Sequence, residues 1–390
     1  MKVALLSDCY PPRLGGIESQ VRDLARHLLG AGHEVEVFTA TPGAAGERHG
    51  VIEVEDGVPV HRMALRLPLD LPVNPLATRE IHRRLEAGSF DVAHVHMGVV
   101  SPFATDLADL TTRIGLPTAV TWHCVLGPGS AIVLRRLGRA RAWARRGAAL
   151  SAVSQMAAGR VASLLDPGTQ VAVVPNAIDL SAWRPADVAR DAPADVPRGG
   201  VHLVSALRLA PRKRVPALLG ILAAARRSVP DSIPMTATIY GEGPLRSLLQ
   251  RRLDHGGMDW VALAGRVTRP ELARAYAAAD AFVSPARLEA FGLAALEART
   301  AGLPVVAVAG SGVEDFVTEG VEGLLGRSDE ELAAAVVRLA RDPLLRERIR
   351  EHNLAVEPAQ CWPAVIDVVL ADYRRAGAIN RAAGLRREPT

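Results

Sequence analysis

Cysteine, aromatic side chains, lysine and long apolar runs are all scarce in this chain of 390 residues, and each scarcity removes a class of protein. The three cysteines, Cys9, Cys124 and Cys361, are odd in number and widely separated, which excludes a disulfide framework and fits a reducing compartment with the thiols as small core side chains. Aromatic residues are only 4% of the chain and no reader motif interrupts its apolar runs, so the net charge of +4 does not imply a nucleic-acid partner. No uncharged apolar run approaches the ~18 residues needed to cross a bilayer. The apolar run 3–6 ahead of Ser7-Asp8 is far too short for a secretion signal, so the expected location is the cytoplasm, either free or at the inner face of the plasma membrane. A Gly-x-Gly-x-x-Gly after the first strand and a Walker-type Gly-Lys-Ser/Thr are both missing, which argues against dinucleotide oxidoreductases and P-loop phosphotransferases.

What is present is an alternation of short aliphatic runs with amphipathic stretches. Runs at 3–7, 35–39, 92–96 and 118–122 alternate with helical patterns at 17–29 and 99–112, as in a parallel sheet covered by helices on both faces. The pattern restarts at Val201 after a segment, 183–200, that holds Pro185, Pro193, Pro197, Gly199 and Gly200 among charges of mixed sign. That is a linker composition. Strands near Val201, Met235, Val261, Ala281 and Val305 then repeat the alternation. The fold class expected is α/β, with two doubly wound parallel-sheet domains facing each other across a cleft and ligands at the carboxyl ends of the strands. Residues 1–182 would form the first domain and 200–358 the second. The arginine-rich tail from Arg374 to Arg387 is expected to fray.

The stretch from Ser284 to Glu297 carries the most chemistry. It places Glu289 in a loop after a buried strand, Phe291-Gly292-Leu293 at the turn into a helix, and Glu297 on that helix. Free N–H groups at Gly292 and Leu293 favour an anion such as a diphosphate, and a carboxylate on each side can accept hydrogen bonds from sugar hydroxyls. An ordinary strand-to-helix connection with two solvated glutamates has the same sequence. A second signal favours the ligand: Lys2 and Lys213 are the only lysines, and arginine supplies the rest of the 46 positive side chains. Lys213 follows the apolar run 201–207 in Leu207-Arg208-Leu-Ala-Pro-Arg-Lys-Arg214, where a compact ammonium can meet one phosphate oxygen as a guanidinium fork cannot. Arg208 and Lys213 together would cover a diphosphate.

With these residues the chain resembles the retaining GT-B glycosyltransferases of the family 4, group 1 type, whose paired-glutamate motif matches Glu289 and Glu297. The resemblance covers nearly the whole chain, with further landmarks at Pro11-Pro12-Arg-Leu-Gly15-Gly16, His94-Val-His96, Thr121-Trp-His123, Ser151-Ala-Val-Ser154, Pro175-Asn176, Gly241-Glu-Gly243, Leu263-Ala-Gly265-Arg266-Val267 and Gly302-Leu-Pro. It implies a hexosyltransferase that moves a sugar from a UDP- or GDP-linked donor, with retention and front-face transfer. By the same resemblance Glu289 would contact hexose hydroxyls, Glu297 the ribose, Arg208 and Lys213 the diphosphate, Gly16 the leaving phosphate, His123 the donor sugar, and the backbone around Arg266 and Val267 the base. No cofactor or metal is expected, the nucleoside diphosphate sugar being a co-substrate. The helical stretch from Trp362 to Arg374, within residues 359–375, would cross back onto the first domain. Three positions depart from the pattern: Leu207 and Arg214 stand where glycine is usual, so the backbone is expected to avoid positive φ there, and Ala290 replaces a commoner glycine.

The acceptor is less legible. Six arginines, Arg135, Arg136, Arg139, Arg141, Arg145 and Arg146, accompany Leu134, Leu137 and Trp143 in 134–146. Such a helix either lies on an anionic membrane or packs its apolar side inward. The first case favours phosphatidylinositol or another anionic lipid as acceptor, the second a soluble polyol or cyclitol. His94 and His96 are expected on opposite faces of their strand and so unable to share an ion. Asp8 and Glu18 would either assist an acceptor hydroxyl or cap a helix, and Asn176 and Asp179 would hold a turn. Two rival functions remain, a sugar-nucleotide epimerase on the same fold and a non-catalytic sugar-nucleotide-binding subunit.

Overall fold

The computed structural model describes residues 1–13, 15–66, 71–184 and 200–384. The linker positions Pro185, Pro193, Pro197 and Gly199, and residues 385–390 with the last three of the arginine-rich tail, lie outside the described residues. The chain divides into two compact units, Met1–Ala177 with the C-terminal segment from Trp362, and Ile178–Cys361.

The first unit is built on strands β1 (Lys2–Ser7), β2 (Glu34–Thr39), β3 (Val51–Glu55), β4 (Val58–Arg62), β5 (Val92–Met97), β6 (Thr118–Trp122), β7 (Ala149–Ala152) and β8 (Val171–Val173), in the order β3-β4-β2-β1-β5-β6-β7-β8. Its central strands are apolar on both faces, as the near-continuous aliphatic runs require: Ala4 and Leu6 enter one core, Val3 and Leu5 the other. The sheet is not wholly parallel. β3 and β4 pair antiparallel through Asp56 and Gly57, which take φ 49 and 82 as a two-residue hairpin demands. Polar alternation in 51–62 hid this hairpin from the sequence pattern.

The long helix Trp362–Ala382 belongs to this unit, where Trp362, Val365, Val369, Tyr373 and Ala376 complete the core on the face of Val3 and Leu5. It continues past Arg374 to Ala382, so the tail does not fray where expected, because Ala376 is buried and Gly147 packs against Asn380 and Ala383. Beneath it a polar chain crosses three strands. Tyr373 meets His94 Nδ1 at 2.9 Å, His94 Nε2 meets the Thr121 hydroxyl at 2.7 Å, and Thr121 meets the Ser151 hydroxyl at 2.7 Å.

The second unit has a six-stranded, all-parallel sheet in the order β11-β10-β9-β12-β13-β14: β9 (Val201–Ala206), β10 (Met235–Tyr240), β11 (Val261–Gly265), β12 (Ala281–Val283), β13 (Val305–Val308) and β14 (Gly323–Gly326). Its core is one aliphatic cluster running from Val201 to Ile349. In both sheets the strand order reverses beside the first strand, between β1 and β5 and between β9 and β12, and such switch points open a crevice at the carboxyl ends of the strands. Among the described residues no helix is long and apolar enough to cross a membrane.

Tyr373→Phe removes the partner of a buried imidazole nitrogen. It should lower stability by about 1–3 kcal/mol, seen as a lower urea midpoint for the first unit, and an unchanged midpoint would contradict a structural role for this chain of hydroxyls.

Candidate active site

In the second unit the switch point brings Lys213 and Glu289 together. Arg208 follows β9 on an exposed loop, and its guanidinium makes no hydrogen bond or ion pair among the described residues. The chain then enters a 3-10 turn, Pro211–Lys213, and a helix, Val215–Ser228. On the other side of the reversal, β12 leads into the loop that carries Glu289. Lys213 Nζ lies 2.6 Å from Glu289 Oε2, with the ammonium about a third exposed.

Backbone packing fixes both loops. Leu207 N donates to Tyr240 O at 3.0 Å and Leu209 N to Glu242 O at 2.9 Å, and a side chain at Gly241 (φ 125) would overlap the Leu207 carbonyl. This gives the Gly241-Glu-Gly243 landmark a mechanical meaning. Gly292 takes φ 97 at the start of the helix Leu293–Thr300, and a Cβ there would meet Val313 Cγ2 at 2.7 Å. Gly312 N donates to Glu289 O at 2.9 Å, pinning the glutamate loop from below.

One backbone expectation fails here. Leu207 is not among the positive-φ residues, but Arg214 adopts φ 55 and ψ 34, the left-handed region. Its side chain offsets that strain: Nη1 donates to Pro285 O at 2.9 Å and Nη2 to the Asp329 carboxylate at 2.8 Å. The arginine therefore ties the Lys213 turn to the Glu289 side of the switch point, a duty glycine could not perform.

The other donor-side candidates lie on further elements of the same unit. Gly292 begins its helix with no side-chain cap, leaving N–H groups at Gly292 and Leu293 for an anion. Phe291 contributes only backbone, since its ring is buried against Phe316 with centroids 5.4 Å apart. Glu297 sits on the helix, and burial pushes its carboxyl up to about 7 against the opposing field of Arg269. Burial raises the phenol of Tyr276 well above its ordinary value and the Glu297 carboxylate adds to that, and the buried hydroxyl has no hydrogen-bond partner among the described residues. Sequence reasoning passed over Tyr276, which carries no motif. Arg266, exposed, and Val267, half-buried, lie between β11 and the helix Arg269–Ala278.

The first unit holds a different polar group. His94 and His96 lie on the same face of β5, with ring centroids 4.0 Å apart, because side chains two residues apart on a strand share a face. The expectation of opposite faces is thus corrected. His96 Nδ1 is 2.9 Å from His123 Nε2, and His123 Nδ1 is 3.1 Å from Asn176 Oδ1, so both ring nitrogens of His123 are engaged. Burial holds His123 down to about 4 and His94 to about 3, so all of this cluster is neutral near pH 7. Among the described residues no group of three or more His, Cys, Asp or Glu side chains is arranged to hold a metal ion.

Gly16 opens the helix Gly16–Gly30, again without a side-chain cap, with Glu18 in its first turn and 3.6 Å from Arg13. Asp8 serves as a cap in space: its Oδ1 accepts from Phe103 N at 3.0 Å, and burial pushes its carboxyl up to about 6. Asp179 precedes the 3-10 turn Leu180–Trp183. Burial lifts the Cys9 thiol to about 12, so it is not poised as a thiolate, and Cys124 is a buried side chain of the first unit's core.

Two parallel-sheet units, each with its polar groups at the carboxyl ends of strands beside a switch point, define a GT-B glycosyltransferase fold. Solved structures agree: the chain shares a TM-score of 0.72 with Anabaena HepE bound to UDP-glucose, at 20% identity over 97% of this chain and all of that one. The lipopolysaccharide glycosyltransferase WaaG gives 0.67 at 18% identity over 97% and 99%. Residues 14–182 match the family described as Glycosyltransferase Family 4, and 200–342 match Glycosyl transferases group 1. The D-inositol 3-phosphate glycosyltransferase of Frankia alni is 32% identical over 93% of this chain and 95% of its own. The GDP-mannose-dependent alpha-(1-6)-phosphatidylinositol monomannoside mannosyltransferase of Mycobacterium tuberculosis is 28% identical over 87% and 89%. The chain belongs to this family of glycosyltransferases.

Glu297→Gln tests the buried carboxyl. Its folded-state pKa of about 7 lies above the unfolded value, so its contribution to stability is fully present below about pH 4 and lost as pH rises through 7. The glutamine variant should melt higher than the parent at pH 8 and alongside it at pH 4, and a shift that does not change with pH would rule out burial as the cause.

Proposed function

We propose that the protein is a retaining hexosyltransferase that takes its sugar from a nucleoside diphosphate donor held by the second unit. The observation that carries this is the Lys213–Glu289 contact beside the unpaired Arg208 and the uncapped helix start at Gly292. A carboxylate suited to hexose hydroxyls and an ammonium suited to a phosphate oxygen already touch, so a sugar phosphate entering there would meet both. Arg208, Lys213 and the N–H groups at Gly292 and Leu293 would neutralise the departing diphosphate, a preorganised effect worth several kcal/mol when donors are fixed in advance. Glu297 would accept from the ribose hydroxyls, and the backbone at Arg266 and Val267 would meet the base.

From the first unit, the helix start at Gly16 would offer N–H groups to the leaving phosphate. His123, neutral and held on both nitrogens, would present a fixed ring edge to the sugar. In the transfer the acceptor oxygen bonds to the anomeric carbon on the face from which the phosphate oxygen departs, and that phosphate takes the acceptor proton. The charges present make a metal ion unnecessary. The names of the relatives support a GDP-linked donor and an acceptor of the inositol phosphate or phosphatidylinositol type, and a UDP-linked donor remains the alternative that the motif resemblance implies.

Lys213→Ala should reduce transfer from UDP-glucose or GDP-mannose to inositol phosphate by roughly a hundredfold or more, with the fold retained by circular dichroism. Equal turnover would remove Lys213 from the mechanism. Transfer should persist in EDTA, and a loss that added Mg²⁺ restores would refute metal independence. Thermal shift with UDP, GDP and ADP identifies the base, since only the bound diphosphate stabilises the protein, and no response to any of them would sink the donor site.

A further inference from the structure

Two chains of hydrogen-bonded side chains run through the first unit, and they differ at their ends. The first is closed. Ser151 donates to Val120 O at 3.3 Å, so Thr121 donates to Ser151 and accepts from His94 Nε2–H, which leaves His94 Nδ1 bare for the Tyr373 hydroxyl. Every proton in it has an acceptor. Trp143 is provided for in the same way: beside the helices Pro128–Leu137 and Arg139–Arg145, which Gly138 separates, it turns inward next to a cavity of about 530 Å³ and donates through its indole N–H to Asp109 at 2.7 Å. Arg139 and Arg146 pair with the same aspartate, so the tryptophan of this basic segment faces the core.

The second chain is open. Asn176 meets His123 Nδ1 through its amide oxygen at 3.1 Å, and that oxygen only accepts, so Nδ1 carries the ring proton. Burial keeps His123 neutral, and its Nε2 is therefore bare. The partner of that lone pair, His96 Nδ1 at 2.9 Å, has to donate. His96 is neutral for the same reason, so its own Nε2 is bare as well, and that atom is buried with no partner among the described residues. A buried lone pair without a partner costs its desolvation, which an apolar side chain at position 96 would avoid. What the histidine adds is a donor aimed at His123. The N–H of His123 also donates to Met97 O at 2.9 Å, so the residue is held twice by β5 and once by the segment after β8. His96 and Asn176 are buried, whereas His123 stays partly exposed at the strand ends.

We infer that His96 is a positioning residue for glycosyl transfer: with Asn176 it locks His123 as the Nδ1–H tautomer, both ring nitrogens engaged within the fold, so that the ring meets the sugar by its carbon edge in one fixed orientation. This deepens the function proposed above and rests on it for the contact between His123 and the sugar. A ring so held has no nitrogen free for the acceptor proton, which is left to the departing phosphate. Heteronuclear spectra of the full chain with isotope-labelled histidine read the tautomers without any donor present. His123 and His96 should each show a protonated Nδ1 and a bare Nε2, their signals assigned by loss in His123→Gln and His96→Gln. His96→Leu exchanges an unpartnered buried lone pair on His96 for one on His123, so it should melt within about 3 °C of the parent. Its kcat for transfer from GDP-mannose or UDP-glucose to inositol phosphate should fall at least about tenfold, with donor KM changed less than about threefold, because nucleotide affinity comes from the second unit. His96→Gln, whose amide N–H can donate to His123 Nε2, should recover most of that loss. Tyr373→Phe, in the closed chain, should lose stability and keep kcat within about twofold. A proton on His123 Nε2, an unchanged kcat in His96→Leu, or a glutamine variant no better than the leucine one would each overturn the assignment. A parent chain inactive with both donors would sink the hexosyltransferase reading and the positioning role with it, and the tautomers, read without donor, tell that failure from a wrong assignment of His96.

Discussion

The ion pair between Lys213 and Glu289 stands where the second sheet reverses its strand order, and the rest of the donor side depends on it. Lys213 comes from the loop after β9 and Glu289 from the loop after β12, neighbours in the sheet that are 76 residues apart in the chain. Their contact at 2.6 Å ties together two loops that carry charges of opposite sign. At about a third exposure for the ammonium, solvent screens the pair, so its worth lies less in stability than in holding a carboxylate and an ammonium ready side by side. Arg214 performs the same service one residue on, with Asp329 and the Pro285 carbonyl.

Glycine and backbone hydrogen bonding supply the rigidity beneath these charges. Gly241 and Gly243 let the second loop of the sheet lie directly against residues 207–209, and Gly312 lies directly against Ala290. Each contact is backbone on backbone, with little freedom to drift. Preorganised charges are effective only when they do not have to be reorganised during the reaction, and close backbone approach is a direct way to deny them that freedom. The left-handed turn at Arg214 follows the same logic: strain in one residue is held by three hydrogen bonds from its own side chain.

The first unit is organised by burial of neutral polar groups. His94, His96 and His123 are packed together and with Tyr373, Thr121, Ser151 and Asn176, and desolvation keeps the imidazoles uncharged. A cluster of three charged imidazoles within this spacing would repel strongly, so neutrality is a condition of the packing. The C-terminal helix covers the cluster and supplies Tyr373, which links the last part of the chain to a polar group beside the strand ends of the first.

Periodicity and motif order were enough to indicate a parallel α/β architecture and the family. Glu289 in a loop and Glu297 on a helix were legible because a buried strand, a glycine and a helix start follow one another within fourteen residues, all local signals. Position along a strand was legible too, and the opposite-face assignment of His94 and His96 misapplied a rule that the sequence itself carries. Other features exist only in three dimensions. The left-handed Arg214 depends on Asp329, more than a hundred residues away, and no local propensity announces it. The helix that extends to Ala382 persists because the first sheet buries Ala376, while composition alone marks the segment as a charged tail. The buried Tyr276 hydroxyl, the inward turn of Trp143 and the cavity beside it arise from packing between distant segments. Sequence determines which chemistry each segment carries and how its faces alternate, since both are local properties of the chain. Which arginines are neutralised and which carboxyl is desolvated depend on neighbours that only the folded chain brings within a few ångströms, and so the tertiary structure alone decides them.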